Sequence, residues 1–283
     1  MSDDLLGFSR FFKFKHTPFD ASIPTTRLYQ STQLSECISR LTYAAHNSKF
    51  AVLTGPVGSG KSKALHAFKE ALDPNRYLVL YLSESNLTPR WLYAVPLSQM
   101  KIEAPYFVNE SKRQFHETML TEMKLRNRRI VMIIDEAHLI AGKRHGQETL
   151  EEIRFMLNCQ FDSGSPLCLV LCGQDELWEL LDSETNRAVT QRIDLLCHMT
   201  AYDDRQVAEY IAAHLRYAGA EDKVFTAEAV TLISSLSCGI ARLINKICTH
   251  ALLYAASQES ELVTADIVNE AVARELPQGM LRK

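Results

Sequence analysis

The chain has 283 residues, 46% of them hydrophobic and 23% charged, with eleven Gly and nine Pro; that is enough apolar side chain for one large domain or two smaller ones, and it excludes a disordered or fibrous protein. The net charge of −3 denies it global basicity, so a nucleic-acid contact would need a local patch. No run approaches the roughly 18 to 20 uninterrupted apolar residues of a membrane span, and MSDDLLGFSRFFKFK has no continuous apolar core of the signal-peptide kind; the expectation is a soluble, cytoplasmic protein with no membrane partner.

Residues 1–30 place Phe8, Phe11, Phe12, Phe14, Phe19 and Tyr29 among Pro18 and Pro24, the make-up of an extended strap anchored by its rings. From Gln33 to Asn47, the apolar residues Leu34, Cys37, Ile38, Leu41 and Ala45 recur at helical spacing, and Ser31 or Thr32 can cap the helix. Phe50 to Thr54 reads as a strand, followed by a glycine-rich turn and a helix over Lys61 to Leu72. Further strands are predicted at Tyr77 to Leu82, Ile130 to Ile134 and Leu167 to Cys172, separated by helices that include Ser111 to Leu125 and Glu148 to Phe161. Strands alternating with helices imply an α/β domain with a mainly parallel sheet.

After Ala201 the strand signal stops. Asp204 to Tyr217, Thr226 to Ser235, Ile240 to Ser257 and Thr264 to Ala273 read as helices, with Thr226 and Thr264 as starts. The expected division is a strap at 1–30, an α/β domain at 31–201, a small all-helical domain at 202–276 and a tail at 277–283. The seven cysteines, at positions 37, 159, 168, 172, 197, 238 and 248, are odd in number and include no CxxC, which favours buried thiols over a disulfide framework or a zinc knuckle.

Gly55-Pro56-Val57-Gly58-Ser59-Gly60-Lys61-Ser62 matches G-x-x-x-x-G-K-[ST], between a strand and a helix that continues with Lys63. Such a loop curls its N–H groups around a polyphosphate at the positive end of the helix dipole. In that role Lys61 bridges the β- and γ-phosphates of ATP and Ser62 ligates Mg²⁺. The strand Ile130 to Ile134 ends in Asp135 and Glu136, and ligands of parallel sheets gather at the carboxyl ends of strands. Asp135 suits the Mg²⁺ shell and Glu136 suits deprotonating an attacking water.

Ala137 and His138 complete the letters D-E-A-H, and the loop also resembles that of the DEAH helicases. Such helicases need a second motor domain with its own arginine motif, and the residues after Ala201 supply only a small helical unit. His138 keeps two readings: coupling the site to a neighbour, or a packed or solvated histidine.

Together with these motifs, Phe14-Lys-His-Thr-Pro18-Phe19, Leu169-Val-Leu-Cys-Gly173-Gln174-Asp-Glu-Leu177, Gln191-Arg192-Ile193 and Cys238-Gly239-Ile-Ala-Arg242-Leu-Ile-Asn245-Lys make the chain resemble, almost end to end, AAA+ ATPases of the ExeA-like group. Relatives of that group include transposition ATPases of the TniB, TnsC and MuB type. The resemblance implies a P-loop AAA+ domain followed by a helical lid. It assigns Gln174 to the polar sensor at a strand end, Arg192 to an arginine finger acting on a neighbouring subunit, with Arg187 as the competing candidate, and Arg242 to the lid sensor. It also places Phe19, Leu28 and Tyr29 near the adenine; a strap covering the sheet edge is the other reading of that segment.

Secretion-type members carry a membrane anchor and a periplasmic part, and origin-binding initiators add a DNA-binding module. The compact layout is expected to fit a regulator of DNA transposition, a Mg²⁺-dependent ATPase that forms a ring or helical filament on duplex DNA. Its further partners would be a transposase and a target-selection protein. The alternative is an ExeA-like ATPase that controls assembly of a secretion or envelope complex without nucleic acid. Candidate DNA contacts are Lys143 and Arg144, after the acidic pair, and Lys112 and Arg113; for each cluster the competing reading is a solvated helix end. Lys124 to Arg129, KLRNRR, reads as basic residues ending a helix before a buried strand.

Overall fold

The computed structural model describes residues 7–83, 86–157, 167–220 and 223–275. In chain order its elements are helices α1 (Gly7–Phe11) and α2 (Thr32–Asn47), strand β1 (Phe50–Thr54), helix α3 (Lys61–Ala71), strand β2 (Tyr77–Leu82), and helices α4 (Pro89–Gln99) and α5 (Val108–Arg126). There follow strand β3 (Arg129–Ile134), helix α6 (Gly146–Leu157), strand β4 (Leu167–Cys172), helices α7 (Asp175–Leu181) and α8 (Arg187–Thr190), strand β5 (Leu195–His198) and helices α9 (Asp204–Ala218), α10 (Ala227–Ser237), α11 (Ala241–Ser257) and α12 (Ala265–Glu275). They fall into two compact units. One comprises Gln33–Pro56 and Lys61–Met199; the other comprises Met1–Thr32, Val57–Gly60 and Thr200–Lys283.

The first unit is built on a five-stranded sheet in the order β2-β3-β4-β1-β5, parallel at every pairing. Strands covered on both faces read as unbroken apolar runs, and FAVLT in β1 and LCLVLC in β4 are buried at every position. One face packs on a core that includes Phe115, Met132 and Ile153; the other packs on Leu41, Leu65 and Phe68 of α2 and α3.

Four strands stand where the hydrophobic runs put them. The fifth, β5, has no counterpart in the sequence reading: it is a four-residue edge strand with only Cys197 buried, too short and too exposed for a periodic signal. Helix α4 is not among the helices named from the sequence, and it carries Pro89 and Pro96. Pro89 occupies the first turn, where a missing N–H costs nothing, and the Thr88 hydroxyl accepts the Trp91 amide. The last four residues expected for α6, 158–161, and the tail 277–283 lie outside the described residues.

The helical unit has its own core, in which Val207, Ile233, Ile244, Ile247 and Leu252 meet. Asp203 opens α9 with a capping box to Gln206, Thr226 caps α10 through the Ala229 amide, and Thr264 accepts the Ile267 amide before α12. The N-terminal segment belongs to this unit: Phe8, Phe14 and Phe19 lie in the same core. Among the described cysteines, 37, 168, 172, 197 and 248 are buried and free, and Cys238 is free and exposed. No helix among the described residues is long and apolar enough to cross a membrane.

Candidate functional site

The loop Gly55–Gly60 joins the buried β1 to the start of α3. Its backbone tolerates little side chain. A Cβ on Gly55 would lie 2.3 Å from the Met199 carbonyl oxygen, and Gly58, at φ +81°, would carry one 2.7 Å from Cβ of Arg242. The Lys61 side chain is turned back over the loop, its Nζ donating to the carbonyls of Gly55 at 2.8 Å and Pro56 at 3.0 Å. Ser59 is buried, and its hydroxyl has no hydrogen-bond partner. A burial cost of this kind is relieved by a polar ligand. With Ser62 exposed and Lys63 half-buried on the first turn of α3, which carries no acidic residue there, the loop fits a polyphosphate.

Strand β4 runs between β1 and β3, so Gln174, two residues past β4, stands between the phosphate loop and the acidic pair past β3. Asp135 is buried. Its amide donates to the Leu82 carbonyl at 2.7 Å, its Oδ1 accepts the Glu136 amide at 2.9 Å, and its Oδ2 accepts the Tyr81 hydroxyl. Burial and the Asp135 carboxylate raise the Tyr81 hydroxyl above its ordinary value, so it remains a donor. The same two influences hold the Cys172 thiol protonated. Ser62 and Asp135 are hard oxygen donors of the kind Mg²⁺ takes.

Glu136 has left-handed backbone angles, φ 52° and ψ 33°, which are uncommon for a side chain of its size. Its carboxylate is half exposed, with Oε2 3.4 Å from Nδ1 of His138. The His138 ring in turn has Nε2 3.0 Å from Nε2 of Gln174, and its Nδ1 lies 3.4 Å from the Gln174 amide nitrogen. The structure therefore joins Glu136, His138 and Gln174 in one polar cluster. Sequence reasoning left His138 ambiguous and passed over Tyr81; the only available signal for the latter was a hydroxyl one residue from the end of the strand that pairs with the acidic strand.

Arg187 opens α8, and Arg192 lies two residues past it; both are exposed, and Nε of Arg192 donates to the Ala188 carbonyl at 3.2 Å. Within the helical unit the Arg242 amide, on the first turn of α11, donates to the Gly58 carbonyl at 3.1 Å. The Cys238-Gly239 turn before it is fixed by the Tyr202 amide donating to the Gly239 carbonyl at 2.9 Å.

The three aromatic-strap candidates all sit in the helical unit. Phe19 is buried, stacked on His214 at 5.1 Å, and its amide donates to Nδ1 of that ring. Tyr29 donates to Glu209 at 2.5 Å with its ring edge-on to Tyr202 and Tyr210, and Leu28 is half-buried. Of the basic candidates, Lys112 is committed to Glu152 at 2.8 Å and lies over the Phe155 ring, whereas Arg113 is exposed and 3.9 Å from Glu117. Lys143 and Arg144 are exposed in the loop before α6. The KLRNRR segment does end a helix: Asn127 adopts the left-handed cap, and Arg126 and Arg128 both pair with the buried Glu122 at 2.6 Å.

Residues 44–181 match the AAA domain family. The chain is 31% identical over 267 residues to general secretion pathway protein A of Aeromonas hydrophila; that alignment covers 92% of this chain and 47% of the relative, so the chain spans about half the length of the curated relative it matches. Among solved structures it is similar to Drosophila ORC bound to DNA, with a TM-score of 0.71 at 17% identity, covering 99% of this chain and 70% of that one. It is also similar to Cdc6p from Pyrobaculum aerophilum, with a TM-score of 0.68 at 14% identity, covering 90% and 69%. These likenesses to solved structures show the fold alone.

Proposed function

We propose that this AAA+ chain, ExeA-like in its sequence, hydrolyses ATP and uses its nucleotide state to control its own assembly and its engagement of a protein partner in a secretion or envelope complex. The observation that carries the hydrolysis reading is the convergence of Lys61, Gln174, Asp135 and Glu136 past the carboxyl ends of the three adjacent strands β1, β4 and β3.

On this reading Lys61 exchanges the Gly55 and Pro56 carbonyls for phosphate oxygens, and Ser59 gains the partner its buried hydroxyl lacks. Ser62 and Asp135 hold Mg²⁺, with Asp135 oriented by Tyr81. Held there, Mg²⁺ would supply positive charge that offsets the charge of the phosphates. Glu136 accepts the proton of the attacking water, and Gln174 orients that water or the terminal phosphate. Arg192 or Arg187 of a neighbouring subunit stabilises the developing charge, and Arg242 reports nucleotide state to the lid, both by the family resemblance.

The secretion-type partner is favoured because the alignment with general secretion pathway protein A runs over 92% of the chain. A second reading, a DNA-assembled regulator of transposition that engages a transposase, draws on Lys143 and Arg144, exposed in the loop that follows the acidic pair. ATP hydrolysis by the purified chain, with and without random-sequence duplex DNA at low and moderate salt, decides between them, with Glu136→Gln as the blank. Turnover indifferent to DNA supports the protein-partner reading. Stimulation that fades with salt overturns it in favour of DNA, and turnover no greater than that of the blank overturns the ATPase reading itself.

A further inference from the structure

We infer that His138 is a positioning residue that makes the freedom of Glu136 depend on the orientation of the Gln174 amide. The inference rests on the hydrolysis reading above and adds to it a route by which a group facing the terminal phosphate can release the base.

The ring sits in the short turn Ala137–Ile140, with its side chain only 11% exposed, so its nitrogens are served mainly by protein groups. Nδ1 has two neighbours at the same distance, Oε2 of Glu136 and the backbone nitrogen of Gln174, each 3.4 Å away. It cannot serve both. Holding the carboxylate requires a proton on Nδ1; accepting the Gln174 amide requires a lone pair there.

The other ring nitrogen couples this choice to the Gln174 side chain. With the proton on Nδ1, Nε2 is an acceptor and takes an N–H from Nε2 of Gln174, which lies 3.0 Å away. With the proton on Nε2, the ring needs an acceptor instead, and Gln174 provides one only by turning its amide so that the carbonyl oxygen faces the ring. The first arrangement ties Glu136 to His138. The second frees Glu136, and at the same time directs the Gln174 NH₂ away from the ring.

A terminal phosphate offers acceptors only, so it draws the Gln174 NH₂ toward itself and leaves the amide oxygen for the ring. The tautomer follows: one proton leaves Nδ1 to water and one arrives at Nε2 from water, with no change in net charge. Glu136 then loses its histidine partner and turns to the attacking water. In the absence of a terminal phosphate the reverse arrangement keeps the base tied.

The test is steady-state ATP turnover of the full chain, with ATP and ADP binding measured separately, for wild type, His138→Ala, Gln174→Ala and the double variant. His138→Ala frees Glu136 but also removes the ring that holds the Gln174 amide oxygen and so aims its NH₂ at the phosphate; this second loss is expected to dominate and to lower kcat about tenfold, the lower end of the loss seen when a partner that orients an active-site group is removed, with ATP affinity within about twofold of wild type. Because the two residues act as a unit, the double variant is expected to be no slower than the slower single variant. Unchanged kcat in His138→Ala, or losses that multiply in the double variant, would overturn the inference while leaving the ATPase intact. Thermal melting identifies a folding defect; in that case His138→Gln, which keeps a polar group facing Gln174 without the ring's second nitrogen, carries the same kcat and double-variant test with the same criteria. Wild-type turnover no greater than that of Lys61→Ala would instead remove the hydrolysis reading, and the inference with it.

Discussion

The Tyr81 hydroxyl, one residue from the end of β2, donates to Oδ2 of Asp135, just past the end of β3. The parallel register sets Tyr81 beside Ile133 and Leu82 beside Ile134, so the bond is a product of strand pairing and links neighbouring strands at the site. With Oδ1 taken by the Glu136 amide, Asp135 has both oxygens engaged and its rotamer fixed. Tyr81→Phe keeps the ring and removes this constraint. The Mg²⁺ concentration for half-maximal ATP turnover is expected to rise about tenfold, as it does when partners of metal-binding groups are lost; a titration at saturating ATP measures it, and a wild-type midpoint would detach Tyr81 from the metal site.

Lys61 has work to do before any nucleotide arrives, since its ammonium satisfies two loop carbonyls. Lys61→Ala is therefore expected both to abolish ATP binding, read by calorimetry, and to lower the melting temperature of the nucleotide-free chain slightly, each lost hydrogen bond being worth about 1 kcal/mol. Glu136→Gln is expected to retain ATP binding and to accumulate an ATP-bound oligomer by light scattering. Normal turnover in either variant would overturn the site assignment.

What the sequence made legible follows from how its signals arise. The phosphate loop and the acidic strand end are contiguous motifs whose spacing is set by backbone geometry, so Lys61, Asp135 and Glu136 could be named from residues alone, and the buried runs of β1, β3 and β4 could be placed because both their faces are covered. Strand β5 leaves no such trace, since its Leu196 and His198 face solvent. Phe19 reads from the sequence as an anchored ring, but the rings that anchor it, His214 and Phe225, lie some two hundred positions away. The roles of Tyr81 and His138 were hidden for the same reason: each is defined by a partner on another strand or loop.

Glu122 shows how a basic run can be structural. Its carboxylate is buried, with Arg126 at 2.6 Å and Arg128 making two hydrogen bonds at 2.6 and 2.9 Å. Glu122→Ala leaves Arg128 partly buried without its counter-charge, and a loss of about 2 kcal/mol is expected, below the cost for a fully buried pair because Arg126 is exposed. Chemical denaturation reads the loss, and ATP affinity is expected to stay unchanged. A variant as stable as wild type would show that the ion pairs contribute nothing net.

The two basic clusters should separate in the same way. Lys112 is held by Glu152 and lies over Phe155, so Lys112→Ala is expected to lower stability by about 1 kcal/mol, as for a half-exposed pair. Lys143→Glu combined with Arg144→Glu touches only exposed side chains and should leave the melting temperature unchanged. On the DNA reading the double variant weakens binding to unrelated duplexes alike, because phosphate contacts carry no sequence preference. Fluorescence anisotropy with two unrelated duplexes measures this, and equal affinity to wild type would remove the loop from any DNA interface.

Arg187 and Arg192 are both exposed on consecutive turns before β5, and neither geometry nor charge within one chain separates them. A finger acts on the nucleotide of a neighbour, so a subunit lacking it still offers a complete phosphate site. A subunit lacking Lys61 still offers its finger. Mixing Arg192→Ala with Lys61→Ala should therefore restore turnover that neither shows alone, approaching about a quarter of wild type if equal amounts mix at random, whereas Arg187→Ala alone should retain activity. The removal of a transition-state cation of this kind costs about 10³-fold or more in turnover, so even partial complementation stands far above the single variants. Rescue by Arg187→Ala in place of Arg192→Ala would transfer the role one turn upstream, and no rescue with either would leave the trans role unsupported.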